Sequence, residues 1–359
     1  MNAGRLKVAR AASGMSLRAL EEKIDRVVTA QAVGKYERGE AIPGSKTLIA
    51  LARALDVSLD YLLADDEITL EGVELPKNAI AARKAEARVE GRLLRDLERY
   101  LVIEELIGLP SVNWHRPRQA PYPVANDVLE ADRAADNLRS AWRLGSDPIP
   151  NLVELLEGRG IKVVTIDVAD IDGLTARVNR RGYPAAPVIV INPSLTGECQ
   201  RFTIACELGH LVLDVSAKLD EKRAACRFTH AFLMPAEVLW SEVGKHRSSI
   251  SLGELVELKA VFGVSAQAVA HRCKDLGIIG PTLYSNLLKE FGDRGWRRSP
   301  QEEPKPLPPE KSTRFERHCF RALAEDVISG SRAAELLGIS VRELDRRMHL
   351  PTTSAGQLA

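Results

Sequence analysis

Nowhere in the 359 residues is there an apolar run of 18, the length that crosses a bilayer as a helix, so no membrane span is expected. The start, MNAGRLKVARAASGMSL, alternates basic and small residues and lacks the apolar stretch of a secretory leader, so a cytoplasmic protein is expected. Charge of one sign is lacking as well. With 50 Lys+Arg against 49 Asp+Glu the net charge is +1, so any nucleic-acid contact must come from a local basic surface. Cysteine is scarce and odd in number: Cys199, Cys206, Cys226, Cys273 and Cys319 are scattered along a long chain, which argues against a disulfide framework. Such thiols are expected to be buried, metal-bound or reactive. What is present, 45% hydrophobic and 28% charged residues, is the composition of a globular protein, long enough for two or three domains.

The patterning divides the chain into five parts. Residues 1–66 carry short helical patterns with Gly and Pro punctuation. Residues 67–124 hold a helical connector, KNAIAARKAEARVEGRLLRDLERYLVIEELI, with Val89, Leu93, Leu97 and Leu101 every four residues. That stripe suits a connector or a dimerisation element, and a homodimer is expected. Residues 125–285 mix helical patterns with three strands, the last of them the continuous apolar run APVIVIN. Residues 286–312 form a Pro- and charge-rich linker without apolar periodicity, expected to be mobile. Residues 313–350 return to helical patterning.

Within the first part, Ser16 can cap a helix whose inner face is Leu17, Leu20 and Ile24, and Thr29 can cap a second helix with Val33 and Tyr36 inward. The outer face of the second helix would present Ala30, Gln31, Gly34 and Lys35. Small residues permit close approach to a DNA groove, Gln31 offers the bidentate amide suited to adenine, and Lys35 a cation for guanine or phosphate. The string VTAQAVGKYERGEAIPGSKTLIALARAL resembles the lambda-repressor-like (XRE) family over residues 5–63. The resemblance implies that Thr29, Ala30, Gln31, Gly34, Lys35 and Arg38 lie at an operator DNA. A helical protein-interaction domain of the same fold is the other reading.

Residues 201–214, RFTIACELGHLVLD, carry Glu207 and His210 at the spacing of the helical zinc motif H-E-x-x-H, with Cys206 at the first ligand position. On a helix, residues four apart share a face, so Cys206 and His210 can face one ion with Glu207 beside them. Together with EKRAACRFTHAFLMPAEVL, this string resembles the ImmA/IrrE family of metallopeptidases. By that resemblance Glu207 is the general base, Cys206 and His210 stand at ligand positions, and the third ligand falls on Lys222, with Glu221 one residue away. A second i,i+4 pair, Cys226 and His230, leaves another arrangement open: a closed Cys₂His₂ zinc site of structural kind. A third reading has the cysteines packed as small apolar residues with no metal.

In the tail, Ser340 followed by Glu343 reads as a capping box, and Arg342, Arg346 and Arg347 suit DNA phosphate, an acidic partner or a solvated face. The expected fold is multidomain, with an all-α helix-turn-helix head, an α+β zincin-like (ImmA/IrrE) central domain and an α-helical C-terminal tail. The expected function is a DNA-binding transcriptional regulator whose altered central domain senses a signal or binds a partner. The alternative is a zinc-dependent endopeptidase that cleaves a repressor or antitoxin partner, and a component of a toxin–antitoxin pair is a third class.

Overall fold

The computed structural model describes residues 1–57, 59–63, 68–72, 79–109, 114–167, 171–180, 183–296 and 303–349. The head comprises α1 (Ala3–Ala12), α2 (Leu17–Lys23), α3 (Ala30–Glu37), α4 (Ser45–Leu55) and α5 (Leu59–Leu63). A short strand β1 (Ile68–Glu71) and the long helix α6 (Ala79–Leu106) follow. The central domain runs through β2 (Tyr122–Val124), α7 (Glu130–Trp142), α8 (Leu152–Gly158), β3 (Lys162–Thr165), β4 (Gly173–Arg180) and β5 (Tyr183–Ile191). It continues with α9 (Gly197–Val212), β6 (Leu213–Val215), α10 (Glu221–Leu233), α11 (Ala236–Val243), α12 (Leu252–Phe262), α13 (Ala266–Asp275) and α14 (Pro281–Asp293). The tail is α15 (Arg314–Ala324), α16 (Gly330–Leu337) and α17 (Val341–Met348). None of the described helices is long and apolar enough to cross a membrane.

The head closes as its apolar spacing requires. Ser16 accepts from the Ala19 amide at 3.1 Å and Thr29 from the Ala32 amide at 3.2 Å, each satisfying an otherwise orphan donor at a helix start. Leu20, Ile24 and Val33 are buried, with Leu17 and Tyr36 packed against them.

A four-stranded sheet in the order β1-β4-β5-β3 forms the platform of the central domain; β3 runs parallel to β5, and the other pairs are antiparallel. The VIVI run of β5 serves both faces. Val188 and Val190 join the cluster under α6, while Ile189 and Ile191 join the one containing α9. Period-two alternation with both faces covered makes a continuous apolar strand.

The sequence stripe on α6 finds its partner here. Val89, Leu93, Leu97 and Leu101 are buried against Leu174, Ala176, Val178, Val188 and Val190 of the sheet. Each such aliphatic side chain contributes roughly 1.5–3 kcal/mol of burial free energy. The stripe is therefore spent inside the chain rather than offered to a second copy, which corrects its reading as a dimerisation face. Farther along, Ile103 and Ile107 pack into the tail beside Cys319, Ala322 and Leu336. At the other end Gly91 lies against α1, where an added Cβ would come within 2.6 Å of the Ala12 nitrogen. One helix thus touches head, sheet and tail.

Two boundaries move. The stretch 286–312 begins inside α14, and Trp296, stacked on Phe291 at 5.7 Å, still belongs to the central core. Residues 303–312 form a docked strap rather than a mobile linker. Glu303 is buried, 3.2 Å from Lys259 Nζ, and accepts from the Ala266 amide at 2.9 Å. Lys259 is also bonded to Glu198 at 2.6 Å. Glu310 accepts from the Leu152 and Val153 amides at 2.6 and 3.1 Å, at the start of α8, and pairs with Arg201. Gly197 is required where the strap crosses, because a Cβ there would collide with the Pro308 carbonyl. Anchorage by buried polar groups leaves no apolar period to read.

Candidate functional site

The motif helix α9 packs on β4 and β5 on one side and on α10 on the other, with Ile204, Ala205 and Leu208 buried in the shared core. At the crossing, Gly209 lets Phe228 and Ala225 approach; a Cβ there would lie 3.1 Å from the Phe228 ring. This geometry holds Cys206, Glu207 and His210 along one edge of the domain. Glu207 accepts a hydrogen bond from the Thr175 hydroxyl of β4 at 2.7 Å. His210 lies at the surface with Nδ1 2.9 Å from Glu221 Oε1, so the start of α10 does reach the motif. Lys222 is exposed.

Cys206 is half-buried. Burial, with Cys226 and Glu207 nearby, pushes its thiol up to about 12, and burial raises Cys226 as well. Both are protonated thiols at neutral pH in this setting. A zinc peptidase centre needs three protein donors converging on one point and an open fourth position. Among the described residues, Cys206, His210, Cys226 and Glu221 belong to no convergent group of three or more donors. The residues present at the motif therefore do not fit a bound zinc.

The Cys₂His₂ arrangement is not formed either, because His230 turns the other way. Its ring stacks on His271 of α13 with centroids 4.7 Å apart and planes at 13°, and meets Phe202 at 5.2 Å. His230, His271 and Asp275 place one donor atom each within 4.8 Å of one another, the group of the described residues that could hold a metal ion. Nδ1 of His230 is buried without a hydrogen-bond partner, whereas Nδ1 of His271 lies 3.2 Å from Asp275 Oδ2. Burial first, and His271 second, pushes His230 down to about 3, so its imidazole is neutral. Asp275, which burial alone would raise, is held at about 2 by His271 and Arg227. Two imidazoles and a carboxylate suit a divalent transition metal in kind. Two features oppose it in this geometry: near-parallel rings aim their lone pairs side by side, and Arg227 Nη1 sits 2.9 Å from Asp275 Oδ2. His271 and Asp275 were not singled out from sequence, although their i,i+4 spacing in AHRCKD carries the same signal as the motif helix.

On the head, Gln31 and Lys35 of α3 are exposed, as their spacing implies. Thr29 is consumed as the helix cap. Ala30 is half-buried and donates its amide to Glu21 at 2.9 Å. Gly34 differs from expectation: it is buried, with Leu17 and Arg38 lying 3.5 and 3.3 Å from where a Cβ would stand, so it serves helix packing. Arg38 is exposed but paired with Glu40 at 2.6 Å, an ion pair that DNA would have to displace. Arg346 and Arg347 of the tail are likewise exposed yet paired with Glu343.

Comparison with known proteins accords with this division. Residues 6–62 match the helix-turn-helix family model, which supports a DNA-binding regulator. Residues 156–274 match the model of the IrrE N-terminal-like domain, a zinc metallopeptidase-like family. No curated protein and no solved structure matches the chain.

Proposed function

We propose that this chain, a helix-turn-helix domain joined to an IrrE N-terminal-like domain, is a transcriptional regulator whose IrrE-like domain senses a signal or binds a partner rather than cutting a peptide. The observation that carries the reading is the motif itself: Cys206 stands where a first ligand is needed, and no three donors converge around it. DNA reading falls to α3, through Gln31 at base edges and Lys35 at base or phosphate. Coupling falls to α6, which is packed at once on α1, on the sheet that carries Thr175 and on the tail. A change in the IrrE-like domain that shifts α6 also shifts the seat of the head.

A salt-dependent mobility-shift series tests the first half. Gln31→Ala should relax sequence preference at a cost of about 1–3 kcal/mol, and Lys35→Ala should weaken binding and flatten its salt dependence. Binding indifferent to salt and to both substitutions would refute DNA reading by α3. A second reading keeps Glu207 as general base of an endopeptidase acting on a repressor or antitoxin, and what favours it is that Glu207 and His210 both remain on α9. Glu207→Gln removes the base and little else. Unchanged regulatory output in that variant supports the sensor, whereas loss of partner cleavage supports the peptidase.

A further inference from the structure

A cleft of about 870 Å³ opens between residues 115–119, the C-terminal end of α7 and the turn after α8. Arg116, Arg118, Arg143 and Arg159 line it, with His115 beside them, and no acidic residue does. In a chain whose net charge is +1, that is a local concentration of one sign. The cleft at the junction of head, α6 and tail differs, because its five arginines are interleaved with Asp56, Glu98 and Glu335.

Within this cleft no carboxylate answers the arginines. The side chains of Arg116, Arg118 and Arg143 make no hydrogen bond or ion pair among the described residues. Arg159 is preset: Nη2 donates to the Trp142 carbonyl at 2.6 Å, and the guanidinium lies 5.4 Å from the Trp142 ring centroid, leaving its other donors unpaired. Trp142 is itself fixed by edge contacts to Trp114 and Phe232 at 6.4 and 6.1 Å, so that wall is rigid. Tyr122 completes the lining, 2% exposed, with a buried hydroxyl that has no partner.

We propose that this cleft binds a ligand carrying two or more phosphate charges. Guanidinium forks match phosphate oxygens two by two, and four of them together exceed what a single carboxylate would balance. The volume lies within the range of small-ligand pockets and accommodates a nucleotide-sized molecule. The site shares no residue with the metal motif or with α3, so it stands independently of the regulator reading.

Calorimetric titration of the full chain with pyrophosphate and with ATP, in the presence of a chelator, tests it. Saturable binding of one ligand per chain is expected, weakening as salt rises, with no binding of adenosine. Arg116→Ala/Arg143→Ala should lower the affinity at least about a hundredfold, from a charge-assisted contact worth tenfold or more at each position. Neither side chain holds anything in the protein, so the variant should keep the unliganded melting temperature. A short DNA duplex separates the two sources of phosphate. Displacement of pyrophosphate by duplex, lost in the variant, assigns the cleft to DNA backbone; binding that duplex leaves untouched assigns it to a free ligand. Absence of binding by both probes, or equal affinity in the variant, overturns the proposal.

Discussion

Replacement of Gly91 tests whether α6 really seats the head. A Cβ at this position would meet the Ala12 nitrogen at 2.6 Å, the Val8 carbonyl oxygen at 2.8 Å and the Ala11 carbonyl carbon at 3.2 Å. All three are backbone atoms of one helix or its immediate end, so no side-chain rotation relieves the clash and α1 must retreat. Two effects oppose each other in Gly91→Ala. Within α6 the substitution improves helix propensity by about 1 kcal/mol. At the interface, overpacking costs about 1–3 kcal/mol. The first acts on α6 whether or not the head is docked; only the second reads the interface. The docked state should therefore lose about 1–3 kcal/mol relative to the undocked one, a roughly 5- to 150-fold shift in their ratio. Amide hydrogen exchange measures this directly. Protection should fall across Ala3–Ala12 and the facing turns of α6, while the sheet and α9 keep theirs. Gly330→Ala, where nothing lies within 4 Å of the new Cβ, serves as control. Unchanged exchange in α1 of the Gly91→Ala protein would refute the seat, and with it the route by which the central domain reaches the DNA-binding helix.

Three further outcomes follow from buried groups. Lys259→Met leaves Glu198 and Glu303 buried without their cation and should cost about 3–5 kcal/mol in urea unfolding, whereas a loss below about 1 kcal/mol would mean the strap is not docked as described. His230, held near 3 against an ordinary value near 6.5, binds a proton more readily when unfolded, so its contribution to stability is intact above about pH 6.5 and lost as pH falls toward 3. The loss should run at about 1.4 kcal/mol per pH unit, roughly 2 kcal/mol by pH 5, and His230→Phe should flatten that slope; equal slopes in both proteins would contradict the burial. Cobalt(II) added to the protein should give no thiolate charge-transfer absorption, and Cys206→Ala should leave its spectrum unchanged. The opposite pattern would return the metal to the motif helix.

Where a residue's role is decided by its near neighbours along the chain, the sequence already stated it. Ser16, Thr29 and Ser340 each cap the helix they precede, because a hydroxyl three residues ahead of an amide needs no tertiary partner to find it. The VIVI strand and the four-residue stripe on α6 were equally plain, since each is a single periodicity. What the stripe packs against was not plain, because period alone does not distinguish a sheet of the same chain from a second copy. Gly34 shows the same limit at one position: smallness fits a groove face and a helix crossing equally well, and only the place of Leu17 decides.

The strap and the histidine cluster were hidden for a related reason. Glu303 and Glu310 lie among prolines and charges, the signature of a solvated linker, yet each is fixed by donors far away in sequence: Lys259 and the start of α13 for one, Arg201 and the start of α8 for the other. In the same way Cys226 and His230 share a helix face with the spacing of ligands, but the ring that His230 meets belongs to α13, forty residues on. A motif read along one helix fixes which side chains can point together; which partner they find depends on the element packed opposite. The arginines between residues 116 and 159 carry no motif at all, and they acquire meaning only when the fold brings them to one cleft without an acid to answer them.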